Sequence, residues 1–305
     1  MTTPQVMRIM ALSINTAARA GSIIRDVMQR GNLGIVEKEG KDDLQTEADR
    51  SAQQCIIASL SRKFPNLKII GEEGDSNLDV KPEWLVTDEN EEFLKNCCPE
   101  EWREIKEEEF VVWVDPLDGT SEYTQGLLEH VTVLIGVAIK NRAVGGVIYQ
   151  PYYKQSNGEI GRAIWGLKGL GTGGFKPTSP PKGQMIITTT RSHLTPLVQQ
   201  ALDALSPTEV IKVGGAGYKV LQLLEGRAHA YVFASPGCKR WDTCAPEAVL
   251  EAYGGILTDL AGVHYSYAAE VDYKNRMGVL ATVPELKHSD IANQVPKDIL
   301  DALRS

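Results

Sequence analysis

Two aspartates three residues apart, Asp115 and Asp118, carry the strongest chemical signal in this 305-residue chain. They lie in the run WVDPLDGT (113–120), behind the apolar, β-branched residues Phe110, Val111, Val112, Trp113 and Val114, so a buried strand is expected to end where the acids begin. Pro116 fixes its own φ and has no N–H, and Gly119 permits backbone conformations that other residues resist. Both carboxylates should therefore point into a small space at the carboxyl end of a strand, where open α/β sheets place their ligands. Like charges about 4 Å apart repel by roughly 4 kcal/mol at an effective dielectric near 20, so something positive is expected between them. The same residues also spell a tight turn, since Asp, Pro and Gly are the usual turn formers. Further acids in similar settings weigh against a turn alone. Glu72 and Glu73 close the apolar run 67–70, Asp242 opens a helical pattern, and Asp49 ends the polar stretch DDLQTEAD at the start of another.

In order along the chain, GEE (71–73), DPLDGT (115–120) and WDTCAPE (241–247) resemble the signature of the lithium-sensitive, Mg²⁺-dependent phosphomonoesterases. That superfamily includes inositol monophosphatase, inositol polyphosphate 1-phosphatase and fructose-1,6-bisphosphatase. The segments GIVEK (34–38), DLQTEADR (43–50), VVWVDPLDGTSEYTQGLL (111–128), ITTTRSH (187–193), VGGAG (213–217) and YVFASPGCKRWDTCAPE (231–247) look like its bisphosphate-nucleotidase branch, over essentially the whole chain. The resemblance implies a layered αβαβα sandwich, the sugar-phosphatase fold of inositol monophosphatase. It also implies Mg²⁺-dependent removal of the 3′-phosphate of adenosine 3′,5′-bisphosphate to leave AMP, with lithium inhibiting at a metal position. Action on 3′-phosphoadenosine 5′-phosphosulfate and on inositol 1,4-bisphosphate belongs to the same implication. By this resemblance Glu72, Asp115 and the main-chain carbonyl of Leu117 hold one ion, Asp115, Asp118 and Asp242 a second, and a third, weaker ion lies near Glu72. Thr120 and Asp49 are the implied catalytic pair, and Thr190, His193, Gly215 and Lys219 the implied nucleotide contacts.

The chemistry of these residues agrees with that assignment. Phosphate-ester hydrolysis needs charge neutralisation at the phosphoryl oxygens, an activated water in line and a stabilised leaving oxygen. Hard Mg²⁺ prefers carboxylates, carbonyls and water. A threonine hydroxyl that accepts from water and donates to a carboxylate makes a simple proton relay. Thr190 and His193 close a strand, Gly214-Gly215-Ala216-Gly217 lets backbone approach a ligand, and Lys219 can meet a remote phosphate as a point charge. Plainer roles stay open on the residues alone. Asp242 and Thr120 read equally as helix N-caps, Glu72 and Glu73 as exposed loop acids, and His193 as a structural residue.

Composition sets the outer bounds. Hydrophobic content of 42% and charged content of 24% are those of a soluble globular protein. A net charge of −8 argues against a nucleic-acid polymer as partner but not against a small phosphorylated ligand, because bound cations reverse the local field. MTTPQVMRIM has no basic run ahead of a long apolar core, and no stretch reaches the ~20 apolar residues of a membrane span. Five cysteines without paired CxxC spacing indicate neither a disulfide framework nor a zinc site, so reduced thiols in the cytoplasm are expected. Nothing advertises an oligomerisation stripe, and a monomer is expected.

Periodicity places the motifs on elements. Helices are expected over 4–30 and 47–63, and strands over 67–70, 110–115, 131–139, 143–149 and 163–167. The acidic stretch 75–109 reads as a surface insertion with short helices and aromatics tucked against the body. KPTSPPKG (176–183) is the best boundary, dividing an α+β half, 1–176, from an α/β half, 184–305. Past it the pattern alternates: strand 185–190, helix 194–205, strand 210–213, helix 216–225, strand 229–234, helix 243–252, strand 256–259. Gly169 to Gly174 satisfies GxGxxG, but prolines follow where a helix would have to start, so it reads as a glycine-rich turn. Two rival readings remain: an inositol phosphate phosphatase of the same superfamily, and a nucleotide- or cation-binding regulator without catalysis.

Overall fold

The computed structural model describes residues 3–38 and 44–304. Residues 1, 2, 39–43 and 305, with Asp42 and Asp43 of the polar stretch, lie outside the described residues. The chain opens with α1 (Gln5–Arg30), the paired strands β1 (Val36–Glu37) and β2 (Leu44–Gln45), α2 (Glu47–Lys63) and β3 (Lys68–Gly71). An irregular stretch holding α3 (Glu91–Leu94) leads to β4 (Phe110–Asp118), α4 (Thr120–Thr124), β5 (Thr132–Ile139), β6 (Arg142–Lys154), β7 (Ile160–Leu167) and β8 (Gly171–Gly173). Next come β9 (Ile186–Thr190), α5 (Pro196–Leu205), β10 (Glu209–Val213), α6 (Ala216–Leu224), β11 (Ala230–Phe233) and α7 (Arg240–Tyr253). The chain then runs through β12 (Ile256–Thr258), β13 (Val279–Thr282), α8 (His288–Ala292) and α9 (Lys297–Arg304).

Six strands form one sheet in the order β3-β4-β5-β6-β7-β8, and only the β3–β4 pair is parallel. The second sheet runs β10-β9-β11-β13-β12, parallel among its first three strands and antiparallel beyond. Helices α1 and α2 cover one face of the first sheet. Helices α6 and α7 lie between the two sheets, α5 and α8 pack on the second, and α9 packs against α5. This is the layered αβαβα sandwich. Local chemistry explains the elements: α1 buries Val6, Ile9, Met10, Ile14, Ala17, Ile24 and Val27 on one stripe and stops at Gly31, whose φ is 73°. The β5–β6 turn has Lys140 and Asn141 both at positive φ, the conformation a two-residue hairpin prefers.

A row of glycines seats α7. Gly136 on β5, Gly146 on β6 and Gly166 on β7 are directly paired across the sheet, one beside the next. A Cβ on Gly146 would stand 2.5 Å from the Ala245 carbonyl oxygen, and one on Gly136 would stand 2.6 Å from the Ala245 nitrogen. The missing side chains form a trough that lets α7 lie against backbone.

Several elements differ from the sequence expectation. Strand β4 continues through Asp118 rather than ending at residue 115, because pairing with β5 resumes at Asp118 beyond an irregularity around Pro116. Strand β6 runs five residues past 149, again through a break in register. The glycine-rich turn 169–174 contains a three-residue edge strand, and β13, α8 and α9 had no counterpart in the pattern. The acidic insertion does hold short helical turns. Phe93 is buried edge-on against Trp165 at 4.9 Å, and Trp102 donates from Nε1 to the Lys168 carbonyl. Residues 176–183 carry neither helix nor strand.

Candidate active site

The carboxyl ends of β3 and β4, the first turn of α7 and the start of α6 meet in one cleft. Strand β4 supplies Asp115, Leu117 and Asp118. The parallel neighbour β3 ends at Gly71, and the Glu72 N–H donates to the Val114 carbonyl at 3.0 Å, which brings Glu72 beside Asp115. From the other half of the chain, α7 brings Asp242. The carboxylates of Asp115, Asp118 and Asp242 offer oxygens that all lie within 4.8 Å of one another.

Their electrostatics favour a cation. Burial pushes the Asp115 carboxyl well above the usual carboxylate range, and the charges of Glu72, Asp118 and Asp242 push the same way. Burial likewise raises Asp242, helped by Glu72 and Asp118. Asp118 is raised by burial and held back by the Thr132 hydroxyl, the Lys219 charge and the Ala216 and Gly217 amides. Uncompensated buried carboxylates of this kind are costly. All-oxygen donors of high negative charge suit Mg²⁺, and the residues present fit it.

Asp49, fully buried on α2, faces this cluster from below. Its Oδ2 accepts from the Thr46 N–H at 2.8 Å and from the Thr46 hydroxyl at 2.5 Å. Its Oδ1 stands 3.0 Å from the Thr120 hydroxyl, which is also 3.1 Å from the Leu117 carbonyl. Burial pushes Asp49 up to about 7, with Thr46 opposing. Neither Asp242 nor Thr120 is an N-cap, the plainer role that the sequence left open. Asp242 is the third residue of α7 and accepts from the Lys239 N–H at 2.6 Å, while Thr120 opens α4 behind Gly119, whose φ of 91° makes glycine the natural residue there.

Thr190, His193, Gly215 and Lys219 line the same cleft as Glu72, Asp118, Thr120 and Asp242, with Tyr231 and Phe233 as an apolar wall. Asp49, Asp115 and Leu117 do not line it. Thr190 ends β9 and accepts the His193 N–H at 3.1 Å, while the exposed His193 ring stands 2.9 Å from the Ser192 hydroxyl. Lys219 is buried and folded back, its Nζ donating to the Gly215 carbonyl at 3.0 Å. Burial lowers its pKa and the Asp118 charge opposes that. The turn 214–217 spends several of its donors within the protein. The Ala216 and Gly217 amides go to Asp118 at 2.8 Å each, and the Gly214 amide goes to the His130 ring, so these donors serve the protein rather than a ligand.

Sequence reasoning missed several neighbours. Glu73, read as an exposed loop acid, has a side chain only 3% exposed; it is paired with Lys38 at 3.0 Å and takes a hydrogen bond from Gln45. Lys38 also reaches Glu72 at 3.1 Å. Glu122, buried on α4, pairs with Arg191 at 3.3 Å. No spacing links these residues, so no signal was there to find them. A second acidic group, Glu247, Glu251 and His264, does not line the cleft and is offset by Arg142 and the Tyr267 hydroxyl.

The inositol monophosphatase family model matches residues 6–299. The chain belongs to the inositol monophosphatase family. Within it, the chain is 52% identical over 301 residues to human 3′(2′),5′-bisphosphate nucleotidase 1, covering 98% of this chain and 97% of that protein. Among solved structures, the extragenic suppressor protein SuhB of Bartonella henselae superposes with a TM-score of 0.70 at 20% identity, over 96% of this chain and 98% of that one. An IMPase/NADP phosphatase solved with Mg²⁺ and phosphate superposes with a TM-score of 0.63 at 17% identity, over 90% of each chain. Family membership makes the protein a phosphatase. No described helix is long and apolar enough to cross a membrane.

Proposed function

We propose that this chain hydrolyses the 3′-phosphate of adenosine 3′,5′-bisphosphate to AMP and inorganic phosphate, with Mg²⁺ as cofactor. One observation carries the reading: a three-aspartate cluster, with Asp115 and Asp118 buried, reaches through Asp118 and Asp242 the cleft lined by Thr190, His193, Gly215 and Lys219. The 52% identity to a bisphosphate nucleotidase supports the nucleotide as substrate. Glu72, Asp115 and the Leu117 carbonyl would hold one Mg²⁺, and Asp115, Asp118 and Asp242 another, with a third near Glu72. Bound there, Mg²⁺ supplies charge neutralisation at the phosphoryl and leaving oxygens. The chain's own residues do the rest. Thr120 accepts the proton of the attacking water as its hydroxyl donates to Asp49, whose raised pKa near 7 suits a base at neutral pH. Water oxygen bonds to phosphorus, the bond from phosphorus to the 3′ oxygen breaks, and that oxygen takes a proton from solvent. Lys219, buried beside Gly215, is the one lysine in the cleft lining among the described residues, and its charge serves the substrate's phosphate.

The same reading makes the protein a cytoplasmic monomer, sensitive to lithium and also active on 3′-phosphoadenosine 5′-phosphosulfate and inositol 1,4-bisphosphate; its five free cysteines support a reducing compartment. It treats 1–176 as the half carrying most metal ligands and 184–305 as the half carrying Asp242 and the nucleotide contacts. The test is phosphate release from adenosine 3′,5′-bisphosphate with Mg²⁺, with and without lithium. Rapid release suppressed by lithium is expected. Turnover of inositol phosphates alone would move the error to Thr190, His193, Gly215 and Lys219. Nucleotide binding without any release would make the protein a regulator.

A further inference from the structure

Asp118 is gripped from both halves of the chain. Its Oδ2 accepts from the Thr132 hydroxyl at 2.7 Å and from the Gly217 N–H at 2.8 Å, and its Oδ1 accepts from the Ala216 N–H at 2.8 Å. A carboxylate oxygen has two lone pairs, so Oδ2 is filled by protein donors and Oδ1 keeps one acceptor position. Thr132 is the only polar residue of β5 (TVLIGVAI) and is wholly buried. It stands directly opposite Asp118 in the β4–β5 pairing, at the separation where cross-strand side chains meet. The contact is tight. A Cβ on Gly217 would lie 2.6 Å from the Thr132 hydroxyl and 3.2 Å from Asp118 Oδ2, so only glycine fits beside this pair.

We propose that Thr132 is a positioning residue of the metal centre: its hydroxyl locks the Asp118 carboxylate so that Oδ1 alone is presented to the cation. This rests on the reading that Asp115, Asp118 and Asp242 hold a divalent ion. It also makes one unit of the metal ligand and the start of α6, where Gly215 and Lys219 line the cleft. Partners that orient a metal ligand typically change affinity by about 10–100-fold when removed.

The test is Mn²⁺ binding followed by electron paramagnetic resonance, without substrate, on wild type, Thr132→Val, Thr132→Ser and Asp118→Asn. Valine keeps the shape and removes the donor; serine keeps the donor. At the site that Asp118→Asn abolishes, Thr132→Val is expected to bind at least about tenfold more weakly, with an unchanged far-ultraviolet circular dichroism spectrum, and Thr132→Ser close to wild type. Equal affinity in wild type and Thr132→Val would overturn the role of Thr132, and so would a serine variant as weak as the valine. If Thr132→Val fails to fold, Thr132→Ala against Thr132→Ser is read by the same criterion. A wild type that binds no Mn²⁺ overturns the metal reading itself, and the inference with it.

Discussion

Replacing Gly146 by alanine tests whether the glycine trough sets the position of Asp242. The new Cβ would stand 2.5 Å from the Ala245 carbonyl oxygen and 2.9 Å from the Ala245 Cα. Ordinary contact begins near 3.4 Å, so α7 must rise by several tenths of an ångström, because backbone atoms offer no rotamer of escape. Overpacking of this kind costs about 1–3 kcal/mol. For a chain of this size that corresponds to a Tm lower by roughly 2–10 °C. The larger effect should be chemical. Asp242 lies three residues before Ala245 on the same rigid helix, and misplacing a reacting constellation by ~1 Å can cost about 100-fold in rate. The assays are thermal denaturation and initial rates of phosphate release across a Mg²⁺ titration. Gly145→Ala is the control. Its Cβ points to the opposite face, where it meets the flexible Met10 side chain, the sulfur at 2.7 Å, and touches Leu167 Cδ1 at an ordinary 3.5 Å. The control should lose some stability and keep its catalytic constants. A Gly146→Ala protein with wild-type Tm and rate, or a control that loses activity equally, would refute the argument.

Four other outcomes follow from the site and its surroundings. Asp118→Asn should abolish turnover while leaving circular dichroism unchanged, and near-wild-type activity would remove Asp118 from the metal set. Thr120→Val should lower kcat by about 10²–10⁴-fold with little change in substrate affinity, since it cuts the link to Asp49. Mg²⁺ should raise Tm without substrate, because it relieves the repulsion among Asp115, Asp118 and Asp242; at 100 times its Kd the gain is about 2.7 kcal/mol, and a Tm indifferent to chelator would contradict this. His288, held between the Thr258 and Thr282 hydroxyls at 2.8 Å each, is pushed down by burial to about 4. The unfolded chain takes up this proton near 6.5, so the associated stability is complete above that pH and is lost as pH falls toward 4. The drop in Tm from pH 7 to pH 5 should therefore be shallower in His288→Gln than in wild type.

The elements and the acids were legible in the sequence because both are written in short-range patterns. The apolar stripe of α1, the polar stretch that leads into α2 and the alternation past residue 183 each need only neighbouring residues to be read. The Asp115–Asp118 spacing likewise announced a charged corner, and the chain's resemblance to a known family supplied roles for its members. Tertiary structure decided which of these groups meet. Asp242 reaches Asp118 only because α7 sinks into Gly136, Gly146 and Gly166, three positions on three strands that look unremarkable one at a time. Thr132 reads as one more β-branched strand residue until Asp118 stands opposite it, and Glu73 as a loop acid until Lys38 and Gln45 close over it. Periodicity is a property of the local chain, so a sequence carries it openly. The partner of a buried hydroxyl or carboxylate is set by how layers pack, and that is fixed only when the whole chain folds.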